Sequence, residues 1–183
     1  ALPIYAPKVA KRLRALWALH CTGGINQKHA LSLLDDSEEY IRAWTVQLLI
    51  EEKKPSATVR EKFAQMAKLE KSPVVRLYLA CALQRLPYNQ RWDILEALSR
   101  HSQDREDNNI PRMLWLALES MVLESPQKAL SLAAQSKLPR LQEFTPRRLL
   151  GGKTASNSRK PAKSNMAQWQ GIVQQSAPKF SIN

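Results

Sequence analysis

Few side chains in this sequence are of the kinds that do covalent or metal chemistry, and their spacing limits what they could do. The candidates for metal ligation or nucleophilic attack are three histidines, His20, His29 and His101, and two cysteines, Cys21 and Cys81. No two of them have the short spacing of a zinc or haem motif, so a metal site would require the fold to gather His20, Cys21 and His29 around the Gly23-Gly24 turn. Helix-end histidines lying near carbonyl groups are the simpler reading. Asp35, Asp36, Glu38 and Glu39 form an acidic knot that could hold a cation. The same residue types also suit a helix start, where side-chain oxygens cap free N–H groups and the dipole favours anions. Asp93 and Glu96 lie three apart on a helix, and Asp104, Glu106 and Asp107 fall in the polar run HSQDREDNN at 101–109, whose composition predicts an exposed, mobile loop. General acid–base catalysis needs a desolvated, paired geometry, and solvated surface charge accounts for these groups. The expectation is no catalytic residue, no cofactor-binding residue and no metal ligand, hence a protein that is not an enzyme.

Two further sets could bind rather than react. Tryptophans 17, 44, 92, 115 and 169, with basic residues nearby, could stack bases as some helical-repeat DNA glycosylases do. However, Trp17, Trp44 and Trp115 fall on apolar helix faces, where core packing explains them. The arginines Arg14, Arg42, Arg76 and Arg112 recur at spacings of 28, 34 and 36. Equivalent positions in stacked repeats line one surface. There they either pair with acids of the neighbouring repeat or face a partner as a basic stripe, so Arg14, Arg42, Arg76, Arg112 and the nearby Gln84 are the candidate interaction surface.

The elements that position these residues are helices. The five glycines are Gly23, Gly24, Gly151, Gly152 and Gly171, leaving none between 25 and 150. Phosphate-cradling loops and primed hairpin turns both rely on glycine, so Rossmann, P-loop and all-β arrangements are excluded from the body of the chain. Apolar periodicity predicts helices over 8–20, 27–34, 38–49, 58–70, 72–86, 89–100 and 111–122. Two more follow Ser125-Pro126 and Pro139, the last interrupted by Pro146. Ser72–Leu86 is apolar nearly all round, with one polar edge of Arg76, Ala80 and Gln84, as suits a helix held between neighbours. Cys81 inside it reads as a small buried hydrophobe. Nothing in the sequence pairs it with Cys21, and the redox compartment stays open.

Charge is uneven. Of the net +12, residues 1–136 carry 19 Lys+Arg against 15 Asp+Glu, and residues 137–183 carry 9 against 1. GGKTASNSRKPAKSN at 151–165 lacks core-forming residues and reads as a basic flexible linker. Residues 166–183 hold one short possible helix and a frayed end. No apolar run reaches the ~18–20 residues needed to span a bilayer. No signal peptide is evident and the chain starts at Ala1, so a fragment or processed segment is expected.

The phrases RLRALWALH, YIRAWTVQLL, SPVVRLYLACALQRL and PRMLWLALESMV each precede a shorter helix. Two helices per roughly 30–40 residues mark an α-solenoid. The pattern over 1–150 resembles HEAT repeats, within the armadillo/HEAT class, and the fold class is all-α. LLDDSEEYIRAWTVQLL, SPVVRLYLACALQRLP and RWDILEALSRHSQDREDNNIPRMLWLALE are similar to one HEAT segment of large secreted planctomycete proteins of the membrane-bound or sorbosone-type dehydrogenase-like kind. Those place a quinoprotein-like β-propeller before the HEAT region and a haem-binding cytochrome c domain after it. The resemblance implies an extracytoplasmic parent in which this chain is a scaffold contacting a protein partner or sibling domains. With no C-x-x-C-H here, it carries neither haem binding nor dehydrogenase activity onto any residue. The alternative is a nucleic-acid-binding HEAT-like protein using its basic surface.

Overall fold

The computed structural model describes residues 7–51 and 54–152. Among them are nine α-helices and no strand, so the fold is all-α. The helices are α1 (Pro7–Cys21), α2 (Gln27–Leu33), α3 (Glu39–Leu49), α4 (Ala57–Leu69), α5 (Pro73–Ala82), α6 (Trp92–Ser99), α7 (Ile110–Val122), α8 (Pro126–Gln135) and α9 (Pro139–Gly152).

Local chemistry sets most boundaries. α1 stops at Gly23, whose φ of 71° is open to glycine at no steric cost. There the Gly24 N–H reaches back to the Leu19 carbonyl (2.7 Å) and the Gly23 N–H to that of His20 (3.0 Å), which satisfies two helix-end acceptors. Asn26, Ser56 and Ser72 cap α2, α4 and α5 by accepting from the N–H three residues on. In α7 the cap is Asp107, whose Oδ1 accepts from the N–H groups of Asn109 (2.8 Å) and Ile110 (2.7 Å).

Three boundaries differ from the sequence expectation. The helix expected to run to Leu86 gives way after Ala82 to a 3-10 turn, Leu83–Arg85, and Leu86 is extended, as a residue before proline prefers. The segment expected to start a helix at Asn89 opens with another 3-10 turn, Tyr88–Gln90. Pro146 does not interrupt α9, which runs through it to Gly152 and takes in Gly151 and Gly152 from the expected linker. The expectations for 153–183 lie outside the described residues.

Packing follows an alternating rule. Each odd-numbered helix packs on the next, α1 on α3, α3 on α5, α5 on α7 and α7 on α9, forming one layer. The even helices cover it, with α4 packed on α6. One apolar core runs from α3 to α9 and includes Phe63, Leu79, Leu83, Leu98 and Leu114, each 0% exposed. A smaller cluster of Val9, Leu13, Leu16 and Ile41 joins α1 to α3. Arg91 is buried beneath this layer, donating to the carbonyls of Leu86 (2.9 Å) and Ala117 (3.2 Å) while its guanidinium lies over the Tyr88 ring. It ties the α5–α6 connection to α7.

Candidate interaction surface

Two of the predicted arginines make the same set of bonds one repeat apart. Arg42, fourth residue of α3, donates through Nε and Nη2 to the Glu70 carboxylate (3.0 and 2.8 Å) and through Nη1 to the carbonyls of Asp36 and Ser37 (2.7 and 3.1 Å). Arg76, fourth residue of α5, donates to the Asp104 carboxylate (2.7 and 2.5 Å) and to the carbonyls of Glu70 and Lys71 (3.0 and 2.8 Å). Each arginine thus closes the turn that leads into its own helix. Each also reaches forward to a carboxylate in the connection before the next odd helix. The fork geometry of guanidinium suits both tasks at once. Arg12 makes the corresponding forward pair from α1, to Asp36.

This arrangement corrects the proposed stripe. Arg76 is 2% exposed and Arg42 is largely covered, so both are internal fasteners rather than contact residues. The edge expected to face outward is closed as well. Ala80 is fully buried, and Gln84 donates to the Met113 carbonyl of α7 (3.1 Å). Arg14 and Arg112 are exposed and join no ion pair among the described residues. They are also out of register with the other two: the fourth residue of α7 is Met113, and Gln142 holds that place in α9, donating to the Ser136 carbonyl (2.8 Å). The segment 101–109 is corrected too. Ser102–Asp104 forms a 3-10 turn, and Asp104, expected on an exposed loop, is 2% exposed.

Sequence reasoning missed Arg12, Glu70 and Asp104 as partners. A signal for them existed. Asp36, Glu70 and Asp104 are spaced 34 and 34 residues apart, in step with the 34 between Arg42 and Arg76.

Burial alone would raise the Glu70 carboxyl, but the Arg42 guanidinium and the N–H groups of Ser72 and Lys71 outweigh it and hold the group below its ordinary value of 4.5. Asp36 is likewise held below 3.8 against burial, by the Glu38 N–H and then Arg12. A depressed native pKa stabilises the fold fully above the unfolded value, and that share is lost as pH falls through the native one. The urea midpoint should therefore drop as pH is lowered from 5 towards 3. Glu70→Gln should start lower at neutral pH and lose less over that interval. Parallel slopes for the two proteins would show that Glu70 is not part of this linkage.

The remaining candidates resolve into structural contacts. His20 Nε2 lies 2.7 Å from Glu51, and His101 Nε2 lies 2.7 Å from the Ala67 carbonyl; Asp35 binds Lys62 (2.6 Å), and Glu39 accepts from the Ser72 hydroxyl (2.5 Å). Among the described residues, no group of three or more His, Cys, Asp or Glu could hold a metal ion. Trp17 and Trp44 meet edge-to-face with centroids 4.9 Å apart, with Tyr78 6.1 Å beyond Trp44. Trp115 meets Phe144, and Trp92 is 9% exposed beneath Lys128. Trp169 lies outside the described residues. Both cysteines are free thiols, and burial pushes Cys81 up to about 12. No described helix is long and apolar enough to cross a membrane.

No family model matches this chain, and neither the curated proteins nor the solved structures contain a match to it.

Proposed function

We propose that the chain is a non-enzymatic HEAT-like α-solenoid, a scaffold that presents its surface to a protein partner or to sibling domains. The observation that carries this reading is the alternating packing of odd helices, fastened at regular intervals by Arg42–Glu70 and Arg76–Asp104. Two like fasteners between successive units suit an array stabilised by nearest neighbours, the organisation of repeat scaffolds. The polar groups best placed for chemistry are consumed by these internal bonds. The sequence likeness to the HEAT segment of secreted dehydrogenase-like proteins supports an extracytoplasmic, multidomain parent.

A second reading has one specific ground. Residues 7–34 carry Lys8, Lys11, Arg12, Arg14 and Lys28 without a single acid, and all five side chains are exposed. Such a face could take nucleic acid. Duplex DNA binding measured against salt separates the two readings. If several phosphates are neutralised, log affinity falls steeply with log salt. The scaffold reading expects no binding at low ionic strength by residues 1–152, once the basic 153–183 segment is removed. Binding by 1–152 that weakens on replacing Lys8, Lys11 and Arg14 would overturn it.

A further inference from the structure

We propose that the cleft between the C-terminal end of α6 and the α8–α9 turn binds a phosphoryl group carried by a peptide. The source, a peptide, rests on the scaffold reading; the preference for phosphoryl does not.

The cleft has a volume of about 660 Å³, the size of a small-ligand site. Arg100, Arg105 and Lys137 line it, together with Gln135, Ser136 and Gln142, and no carboxylate does. Its walls are fixed to each other. The Lys137 N–H (2.8 Å) and the Ser136 hydroxyl (3.2 Å) both donate to the Ser99 carbonyl at the end of α6, and Arg100 reaches across to Gln135 (3.0 Å). The α6 carbonyl that would repel an anion is therefore occupied. Pro139 brings the N-terminal, positive end of α9 to the rim.

The three cations are available. Lys137 joins no ion pair among the described residues. Arg100 pairs with Glu96 one turn back on its own helix, with both side chains about half exposed, and Arg105 meets the mostly exposed Glu106 at 3.5 Å. Exposed pairs of this kind are weak and exchange readily for a better anion. Two guanidinium forks and an ammonium converging on one pocket suit the doubly charged, three-oxygen phosphoryl group. A nucleic-acid strand would call for a charged track with aromatic platforms. Here no aromatic side chain lines the cleft, and the amides of Gln135 and Gln142 are bonded to Arg100 and to the Ser136 carbonyl, which holds the walls in place. A second cleft among the described residues, lined from the ends of α1 and α3 to the starts of α2 and α4, has an apolar floor and sets Glu51 beside Lys54, so it lacks this chemistry.

The test is amide NMR on the full chain, titrated at constant ionic strength with acetyl-Gly-phosphoserine-Gly-amide, with its unphosphorylated form and with a short DNA duplex. The phosphopeptide should shift the amides of 100–105 and 135–142, and the unphosphorylated peptide should not. Arg105→Gln with Lys137→Gln should weaken binding about tenfold with an unchanged thermal midpoint. Lys137→Gln alone breaks no ion pair and should give a smaller loss, which guards against a folding effect. No shifts at these residues, equal shifts from both peptides, or undiminished binding by the variants would overturn the site and leave the scaffold reading standing. Stronger engagement of the same residues by the duplex would assign the cleft to nucleic acid and overturn the peptide source and the scaffold reading together.

Discussion

Asp104→Ala should lower the stability of this protein by about 3–5 kcal/mol, because it strands the Arg76 guanidinium where both partners are only 2% exposed. For a chain of this length that corresponds to a fall of about 10 °C in thermal midpoint. Arg76→Ala acts from the other side and also frees the carbonyls of Glu70 and Lys71, so its cost is at least as large. The informative comparison is the double variant Arg76→Met/Asp104→Leu. Removing both charges together spares the desolvation of either, and most of the loss should be recovered. Urea unfolding of the three variants checks this. Single variants within about 1 kcal/mol of the parent would mean the pair is solvated, and the account of the fastener would fail.

Leu79→Ala should cost about 2–5 kcal/mol, the range for a leucine cut from a closed core. Leu79 is fully buried on α5, which packs on α3 and α7 in the odd layer and on α4 and α6 in the even one. A cavity there loosens the middle of the array rather than one end. Leu69→Ala makes a matched control, since Leu69 is 79% exposed at the end of α4 and its truncation should stay within about 0.5 kcal/mol. Comparable losses for the two, read from urea midpoints, would mean that burial does not govern stability here.

Helix positions and core faces were legible because they depend on local signals: the Ser72-Pro73 start, the Gly23-Gly24 stop, and apolar side chains at helical spacing. That the arginines pair with acids of a neighbouring repeat was one of the two readings the sequence offered, and it holds for Arg42 and Arg76; which acids they meet was not read, since those lie 28 residues ahead. Arg76 looks the same in sequence whether it meets water or Asp104. Alignment by residue type also placed Arg112 with Arg76. In the structure Asp36 and Glu70 stand three residues before the next odd helix and Asp104 stands six before α7, so the longer connection moves the equivalent position to Met113. Pro146 misled for a related reason. A proline removes one N–H and clashes one turn back, but α9 is anchored on both sides of it, by Leu141 in the core and Phe144 against Trp115 before it and by Leu149 packed on the core after it.

Connections between helices are usually where a chain accepts insertions and cuts. Glu70-Lys71-Ser72 should be an exception. Its three residues hold the Glu70 carboxylate for Arg42, two carbonyls for Arg76, the Ser72 N–H that steadies Glu70 (2.9 Å), and a hydroxyl shared between Glu39 and the start of α5. One added residue would misalign two fasteners at once. A permuted, tagged or proteolysed form of this protein is therefore better opened at Leu123-Glu124 between α7 and α8, where both side chains are exposed. The 70–72 turn, short and partly on the surface, is the place to leave untouched.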